Sequence, residues 1–414
     1  MSRITRSICA AVASVALAGL VSKANAGAIT PGDLLIVNTS NTPDSPNAHL
    51  ESVSLQEYNV SGATPTLVQT IPLPGLTMTS QIDDDRHLKL SVNGALVTVV
   101  GYNAAQQPAG TMLAAGSTDD GAYESVTADR EAVNVNAAGA ASYIDLGSSL
   151  YAGAEITGAI TVNGSQLYLS GEDTGSAATL PVGGPQYAAV SGGTVTSSTP
   201  IFSPDAESGP SASVRSVGIF QNQLYYSAGS GSFGFHGVGT LGTGIYVPTS
   251  TTPVSLPVTQ IAGDGQSVND FAFLDLTGSG KPDVAYYAAK DGIDKYIYNG
   301  TSWAAAGMIA DVSADNEMKE ITTENVGGTI DIFAVDGAGN LFKIADPAPL
   351  TDSLSGSLLT APYIPYIAGT ANDGGNELFG GVAFAPTAVP EPSSLSILGL
   401  GAVAALARRR ARKA

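Results

Sequence analysis

Ile160-Thr161-Val162-Asn163-Gly164-Ser165-Gln166-Leu167-Tyr168-Leu169-Ser170-Gly171 is a pair of short apolar runs joined by a polar turn. Gly218-Ile219-Phe220-Gln221-Asn222-Gln223-Leu224-Tyr225-Tyr226-Ser227 repeats it with one residue removed at the turn. Each reads as a tight β-hairpin. Thr329 to Val335, Gly337-Ala338-Gly339-Asn340 and Leu341-Phe342-Lys343-Ile344 read as another, and Tyr296 to Tyr298, Asn299-Gly300 and Thr301-Ser302-Trp303 as a fourth. Asn-Gly favours the pair of positive φ angles that a two-residue hairpin turn needs. Similar hairpins at intervals of about 45 to 70 residues mark a β-propeller, in which each four-stranded blade buries its faces against its neighbours. A pair of double-sheet sandwiches is the alternative, and a length prior of about 150 residues per domain favours it.

The surrounding sequence supports an all-β body over residues 27–387. Runs of Val, Ile, Leu and Tyr such as Leu34 to Val37, Val53 to Tyr58, Leu96 to Tyr102, Val268 to Leu274 and Val284 to Ala288 recur between glycine-containing turns. Such runs can bury enough area to fold, and no long segment has helical periodicity. The chain is rich in glycine, with 49, and only 13% of its residues are charged, yet these apolar runs argue against disorder.

Both ends depart from this pattern. Residues 1–26 carry Arg3 and Arg6, the apolar stretch Ile8 to Val21, and Ala24-Asn25-Ala26, which is the order of a secretory signal with small residues at its cleavage site. The single cysteine, Cys9, lies inside it, so the exported protein is expected to have no disulfide, no cysteine nucleophile and no zinc site built on cysteine. The two end segments hold eight of the 17 basic residues and one of the 36 acids, leaving nine basic against 35 acidic residues in the body. That excess of negative charge repels nucleic acid and anionic lipid, and points to cations, neutral sugars or the protein's own solvent layer as partners.

At the other end, residues 388–414 read Val389-Pro390-Glu391-Pro392-Ser393-Ser394, an apolar run from Leu395 to Ala407, then Arg408-Arg409-Arg410-Ala411-Arg412-Lys413. The prolines hold the triplet extended. The apolar run enters lipid and the basic cluster stays cytoplasmic. This order resembles the PEP-CTERM sorting tail of Gram-negative surface proteins, which the resemblance implies is read by a membrane exosortase. It implies a short transmembrane helix before processing, then a place at the cell surface or in the extracellular matrix. Gly32-Asp33-Leu34-Leu35-Ile36-Val37, the Gln-Leu-Tyr strands at Gln166 and Gln223, and Gly381-Val382-Ala383-Phe384-Ala385-Pro386 resemble phrases of an uncharacterised family of PEP-CTERM-tailed propeller proteins. That resemblance implies seven blades, with the first and last strands sharing one blade. It brings no activity, site or cofactor.

Candidate chemistry is sparse. His49, His87 and His236 are widely spaced, and none has the partner spacing of a metal ligand. Gly237-Val238-Gly239-Thr240-Leu241-Gly242 matches a dinucleotide loop, but Gly244-Ile245-Tyr246-Val247-Pro248 follows as strand and breaker where a helix would be needed. Ser227 to Thr243 is therefore read as a Gly/Ser loop on one rim. Asp83-Asp84-Asp85, Asp119-Asp120, Glu172-Asp173 and Asp311 with Asp315 could supply channel-mouth carboxylates, although solvated turns explain them as well. Trp303 and the strand tyrosines could stack on sugars, yet such aromatics more often fill the space between blades.

Asp275-Leu276-Thr277-Gly278-Ser279-Gly280-Lys281-Pro282-Asp283 resembles the calcium loop of integrin-like propeller repeats. Asp275 and Asp283 are kept, while Thr277 and Ser279 stand where middle carboxylates belong. Weak calcium binding is the most that this charge count predicts.

The expected function is that of a non-enzymatic exported surface or matrix protein whose rim contacts exopolysaccharide or other surface proteins. A secreted glycan-active hydrolase or lyase using channel carboxylates is the competing expectation, and a purely structural coat component a third.

Overall fold

The hairpins at Gln166 and Gln223 take equivalent places in a set of antiparallel ladders. The computed structural model describes residues 26–41, 50–79, 87–105, 128–151, 156–171, 184–201, 214–229, 236–248, 258–263, 267–310, 317–357, 363–364 and 376–388. Among these, the first ladder joins β1 (Leu34–Asn41), β2 (Leu50–Asn59) and β3 (Thr66–Thr79) to the last strand of the chain, β24 (Asn376–Phe384). The second holds β4 (Lys89–Leu90), β5 (Leu96–Asn103), β6 (Asp129–Asn136) and β7 (Ala141–Gly147). The third holds β8 (Ile156–Ile160), β9 (Gln166–Gly171), β10 (Gln186–Ser191) and β11 (Thr194–Pro200), and the fourth β12 (Val214–Phe220), β13 (Gln223–Ala228), β14 (Gly237–Leu241) and β15 (Val258–Ala262). The fifth runs through β16 (Val268–Leu274), β17 (Val284–Ala289), β18 (Gly292–Tyr298) and β19 (Trp303–Ala310), and the sixth through β20 (Met318–Val326), β21 (Thr329–Asp336) and β22 (Leu341–Asp346).

β24 is innermost in the first ladder, and the first strand is innermost in each of the others. Contacts run from β24 to β4, β8, β12, β16, β20 and back to β24, which closes a ring and makes the body propeller-like. A separate apolar core fills each gap between successive ladders. Leu167 and Leu169 face the second ladder with Val100 and Ala159, whereas Tyr168 faces the fourth with Val217 and Tyr226. The repeat follows the same rule one ladder on, with Leu224 turned back and Tyr225 turned forward to Phe271 and Phe273. Period-two alternation in a strand packed on both faces produces this division. The gap between the sixth and first ladders is filled by Phe333, Val335, Leu341, Leu34, Ile36, Tyr58, Phe379 and Val382. Burying one such side chain stabilises by roughly 1.5–3 kcal/mol, so each interface holds its neighbour firmly.

The expected pairing of Leu34 to Val37 with the strand containing Val382 to Phe384 is present: Leu34, Leu35 and Ile36 lie opposite Phe384, Ala383 and Val382. Two expectations are corrected. The seven blades that the family resemblance implied are not seen: six ladders close the ring among the described residues, and the similar hairpins are not all equivalent within them. Those at Asn163 and Asn222 join first to second strands, whereas Asp336 to Leu341 joins a second to a third and Tyr298 to Trp303 a third to a fourth. The strand that could have begun another ladder, β23 (Leu354–Ser357), instead pairs in parallel with the outer edge of β19. The second correction concerns the stretch read as a loop from Ser227 to Thr243. It contains the end of β13 and all of β14, since Val238 and Leu241, on opposite faces, are each buried in a core and the small residues between them let the strand pack.

Candidate functional site

Three inner strands bring ionisable side chains to the ring axis. His87 lies two residues before β4 and Lys89 begins it, while Asp270 and Glu320 are each the third residue of their strands, β16 and β20. His87 Nδ1 lies 2.5 Å from Glu320 Oε2, and Lys89 Nζ lies 2.9 Å from Glu320 Oε1 and is ion-paired with Asp270 Oδ1. Ser216 Oγ, on β12, donates to Asp270 Oδ1 at 2.7 Å, and the Ile321 amide donates to Oδ2 at 3.1 Å. The third ladder reaches the cluster through Gly158, where a Cβ would come within 3.2 Å of His87 Cβ and 3.0 Å of Ser170 Oγ. A side chain there would have to push His87 or Ser170 aside by a few tenths of an ångström.

The tetrad is sealed. Asp270 is fully buried and Glu320 and His87 are 2% and 3% exposed, against 12% for the Lys89 side chain. Burial opposes the charge on Asp270, but Lys89 and the donated hydrogen bonds outweigh it and hold the carboxyl well below its ordinary value. Burial and then the charge of Asp270 push Glu320 well above its own, against the pull of Lys89. Burial likewise opposes the Lys89 charge, and the two carboxylates overcome it, keeping the ammonium protonated. With Asp270 ionised and Lys89 charged, the short His87–Glu320 contact holds one proton between two bases. The four side chains are then electrically balanced, the condition for tolerating buried charge.

His87, Asp270 and Glu320 also offer three ligand atoms within 4.8 Å of one another, a donor set that would suit a divalent cation. Lys89 already bridges both carboxylates, so the cation they hold is the protein's own.

Directly beyond the tetrad lies a pocket of about 300 Å³, lined by residues of all six inner strands. Leu90, Ile160, Phe220 and Phe384 are the last residues of β4, β8, β12 and β24, so the pocket sits where the inner strands end. Its wall is chiefly apolar, with Phe271 and Phe273 beside Phe220, while Thr322, Thr323 and Lys89 add polar groups. The Phe271 ring packs against Gly218, where a Cβ would stand 2.9 Å from it. No carboxylate lines this pocket.

The Asp275 to Asp283 loop joins β16 to β17, reversing the chain as its flanks predict, with φ of 70° at Gly278 and 77° at Gly280. Asp283 accepts from the Leu276 and Thr277 amides at 2.9 and 2.8 Å. Asp275 accepts from the Ser279 and Gly280 amides, both at 2.8 Å, and from Gln221 Nε2 at 2.7 Å. The Gln221 side chain first, then these amides, hold the Asp275 carboxyl below its ordinary value. The carboxylates that the sequence offers to calcium thus organise the loop itself. Ser279 Oγ bonds within the loop, to Asp275 Oδ1 at 3.4 Å and the Lys281 carbonyl at 3.2 Å.

The structure brings His87 into the tetrad and places His236 at the start of β14, away from it. His49, the acidic groups Asp83-Asp84-Asp85, Asp119-Asp120, Glu172-Asp173, Asp311 and Asp315, and the signal residue Ala24 lie outside the described residues. So do Pro390, Glu391, Pro392, Leu395 to Ala407, Arg408, Arg409 and Arg410. Ala26 is described and packs against the core between the first two ladders. Among the described residues no helix is long and apolar enough to cross a membrane. The tyrosines weighed for sugar stacking fill the gaps between ladders, and Trp303 packs beside Phe273.

Sequence reasoning passed over Asp270, Glu320 and Lys89. The one available signal was a charged residue interrupting an apolar strand run, as in Val268-Asn269-Asp270-Phe271-Ala272-Phe273. The same signal marks Lys295, fully buried, whose ammonium lies 2.6 Å from Asp346 Oδ2, the atom to which Tyr286 donates at 2.6 Å.

Ring and tail together define an exported, surface-sorted protein with a β-rich, propeller-like body. Residues 388–413 match the PEP-CTERM protein-sorting motif, which implies processing by an exosortase and surface anchoring in Gram-negative bacteria. No match is found among curated proteins. The periplasmic gluconolactonase of Pseudomonas aeruginosa aligns at 13% identity over 77% of this chain and 81% of its own, with a TM-score of 0.44. The extracellular domain of a one-component system from B. thetaiotaomicron aligns at 11% identity over 79% of this chain and 34% of its own, with a TM-score of 0.32. Hsv2 of Kluyvelomyces marxianus aligns at 8% identity over 77% and 79%, with a TM-score of 0.34. No activity is carried over from these likenesses.

Proposed function

We propose that this is a non-enzymatic protein of the cell surface or extracellular matrix, whose ring contacts exopolysaccharide or other surface proteins once its tail has been processed. The observation that carries this reading is the sealing of Asp270 and Glu320. The two carboxylates that converge on the axis are paired to Lys89, and neither borders the pocket. A general acid or nucleophile must reach the scissile bond, and these lie behind an ammonium group.

One observation favours the competing reading of a glycan-active hydrolase or lyase. Asp270 and Glu320 have their proton affinities driven in opposite directions, the pattern of an acid and base pair. Incubating the purified body with a panel of bacterial polysaccharides, scored for both retention and product release, separates the two. Retention without product is expected. A defined sugar product that disappears in Glu320→Gln would replace the binding reading with the enzymatic one.

A further inference from the structure

We infer that the axial pocket is a binding site for one neutral pyranose residue, the end unit of a glycan chain, held by Lys89, Thr322 and Thr323 against a phenylalanine wall. The inference rests on the carbohydrate-binding reading above and gives it a place and a ligand class.

Size comes first. A volume of about 300 Å³ lies at the lower end of small-molecule sites, which span roughly 300–1,000 Å³, so it suits one ring rather than an extended chain. The wall comes second. Phe220, Phe271, Phe273 and Phe384 offer apolar surface that matches the C–H face of a sugar ring, leaving the hydroxyl groups to be met from elsewhere.

Those polar partners are present and unused. An ammonium group has three hydrogens, and Lys89 spends two on Asp270 and Glu320. The third meets no acceptor among the described residues, on a side chain that borders the pocket. The Thr322 and Thr323 hydroxyls are half-buried in the same wall and have no hydrogen-bond partner among the described residues. β8, β12, β16, β20 and β24 each stand at one end of a ladder, with one backbone edge unpaired and turned to the axis. A polyhydroxylated ring supplies acceptors and donors for all of these. A hydrocarbon would leave them unsatisfied.

Charge decides between neutral and acidic sugars. Lys89 is the only charged residue lining the pocket, and its charge is balanced by the carboxylates that hold it. A uronate would bring a second negative charge beside Asp270 without gaining a free cation, in a body with 35 acidic residues against nine basic ones. Neutral pyranoses are therefore selected over uronates.

The test is ligand-observed NMR of the whole body with methyl glucoside, methyl galactoside, methyl mannoside and glucuronate. Three proteins are compared: wild type, Ala272→Phe and Leu90→Phe, each of which adds bulk at the pocket wall from a different inner strand. At least one neutral glycoside should bind wild type, glucuronate at least tenfold more weakly, and both variants should lose binding tenfold or more while melting cooperatively. Absence of binding by all three glycosides, unchanged binding in both variants, or equal binding of glucuronate would each overturn the inference. Polysaccharide retention by the same proteins keeps the two readings apart. Retention that persists with the pocket filled, without glycoside binding, leaves the surface-binding reading standing and removes the pocket. Glycoside binding without retention by wild type supports the pocket and removes the rim contact.

Discussion

Leu34 lies opposite Phe384 in the ladder between β1 and β24, so the first and last strands of the body are hydrogen-bonded neighbours. The first ladder is incomplete until the last strand arrives. Its outer strands alone would leave Ile36 and Leu34 with no β24 to cover them.

Closure makes stability a property of the whole ring. Deleting residues 27–58 should therefore abolish the cooperative melt of the entire body. Ile36→Ala, a truncation at a fully buried site, should lower the midpoint of that single transition by an amount equivalent to about 2–5 kcal/mol. A deletion variant that melts with undiminished midpoint and cooperativity would refute ring closure.

The two carboxylates of the tetrad should respond differently to neutral replacement. Asp270→Asn leaves Lys89 without its strongest partner and is expected to cost about 3–5 kcal/mol, as breaking a buried pair does. Its folded value lies below the ordinary 3.8, so it contributes stability above that pH which is lost as pH falls through the folded value. Glu320 has the opposite sign. Its raised value means that the folded His87–Glu320 pair keeps a proton that the unfolded chain, where it sits on the histidine, releases above about 6.5, so stability falls as pH rises from there. Glu320→Gln removes that slope, and its midpoint relative to wild type should improve between pH 5 and pH 8. Calorimetry across that range checks both, and equal costs with no divergence in slope would show that the tetrad is wrongly assigned.

For the Asp275 to Asp283 loop, we expect the turn to matter more than an ion. Asp283→Ala strands the Leu276 and Thr277 amides and should cost about 1–3 kcal/mol in the absence of calcium. If the loop binds calcium at roughly 10⁻⁴ M, 1 mM calcium adds at most about 1.4 kcal/mol over EDTA. Melts of wild type and Asp283→Ala in both buffers decide, and a larger calcium-dependent rise abolished by the substitution would make this a true metal site.

Surface-released protein should lack residues 1–26 and the segment beyond Pro392. Mass spectrometry of that material reads the outcome directly. Peptides spanning Leu395 to Ala407 in it would show that the tail is kept as an anchor.

Strand positions were legible because alternation is local. Gln166-Leu167-Tyr168 and Gln223-Leu224-Tyr225 occupy equivalent places, and the residues of each divide the same way between neighbouring gaps. The ladder count was not legible, since hairpins at different positions within a ladder share the same turn chemistry. Inner strands begin at Ile156, Val214, Val268 and Met318, spacings of 58, 54 and 50 residues that no shared motif announces. The tetrad was hidden for a different reason. His87 and Glu320 are joined only by ring closure, and neither carries a local pattern. The Asp275 loop, contiguous in sequence, was read correctly as a reversal because the carboxylates of Asp275 and Asp283 bond chiefly to amides within the loop itself.

The strand that completes the ring is also the one that carries the tether. β24 ends at Phe384, and the sorting motif begins at residue 388. Any pull on the tail before processing enters the body along β24, at the axis rather than at an outer edge. The load acts in shear on the ladder with β1, and the cores on both sides resist it together. A strand peeled from an edge yields one bond at a time, whereas one drawn lengthwise from the centre must break many at once, so the body is fastened to its anchor at a mechanically strong point.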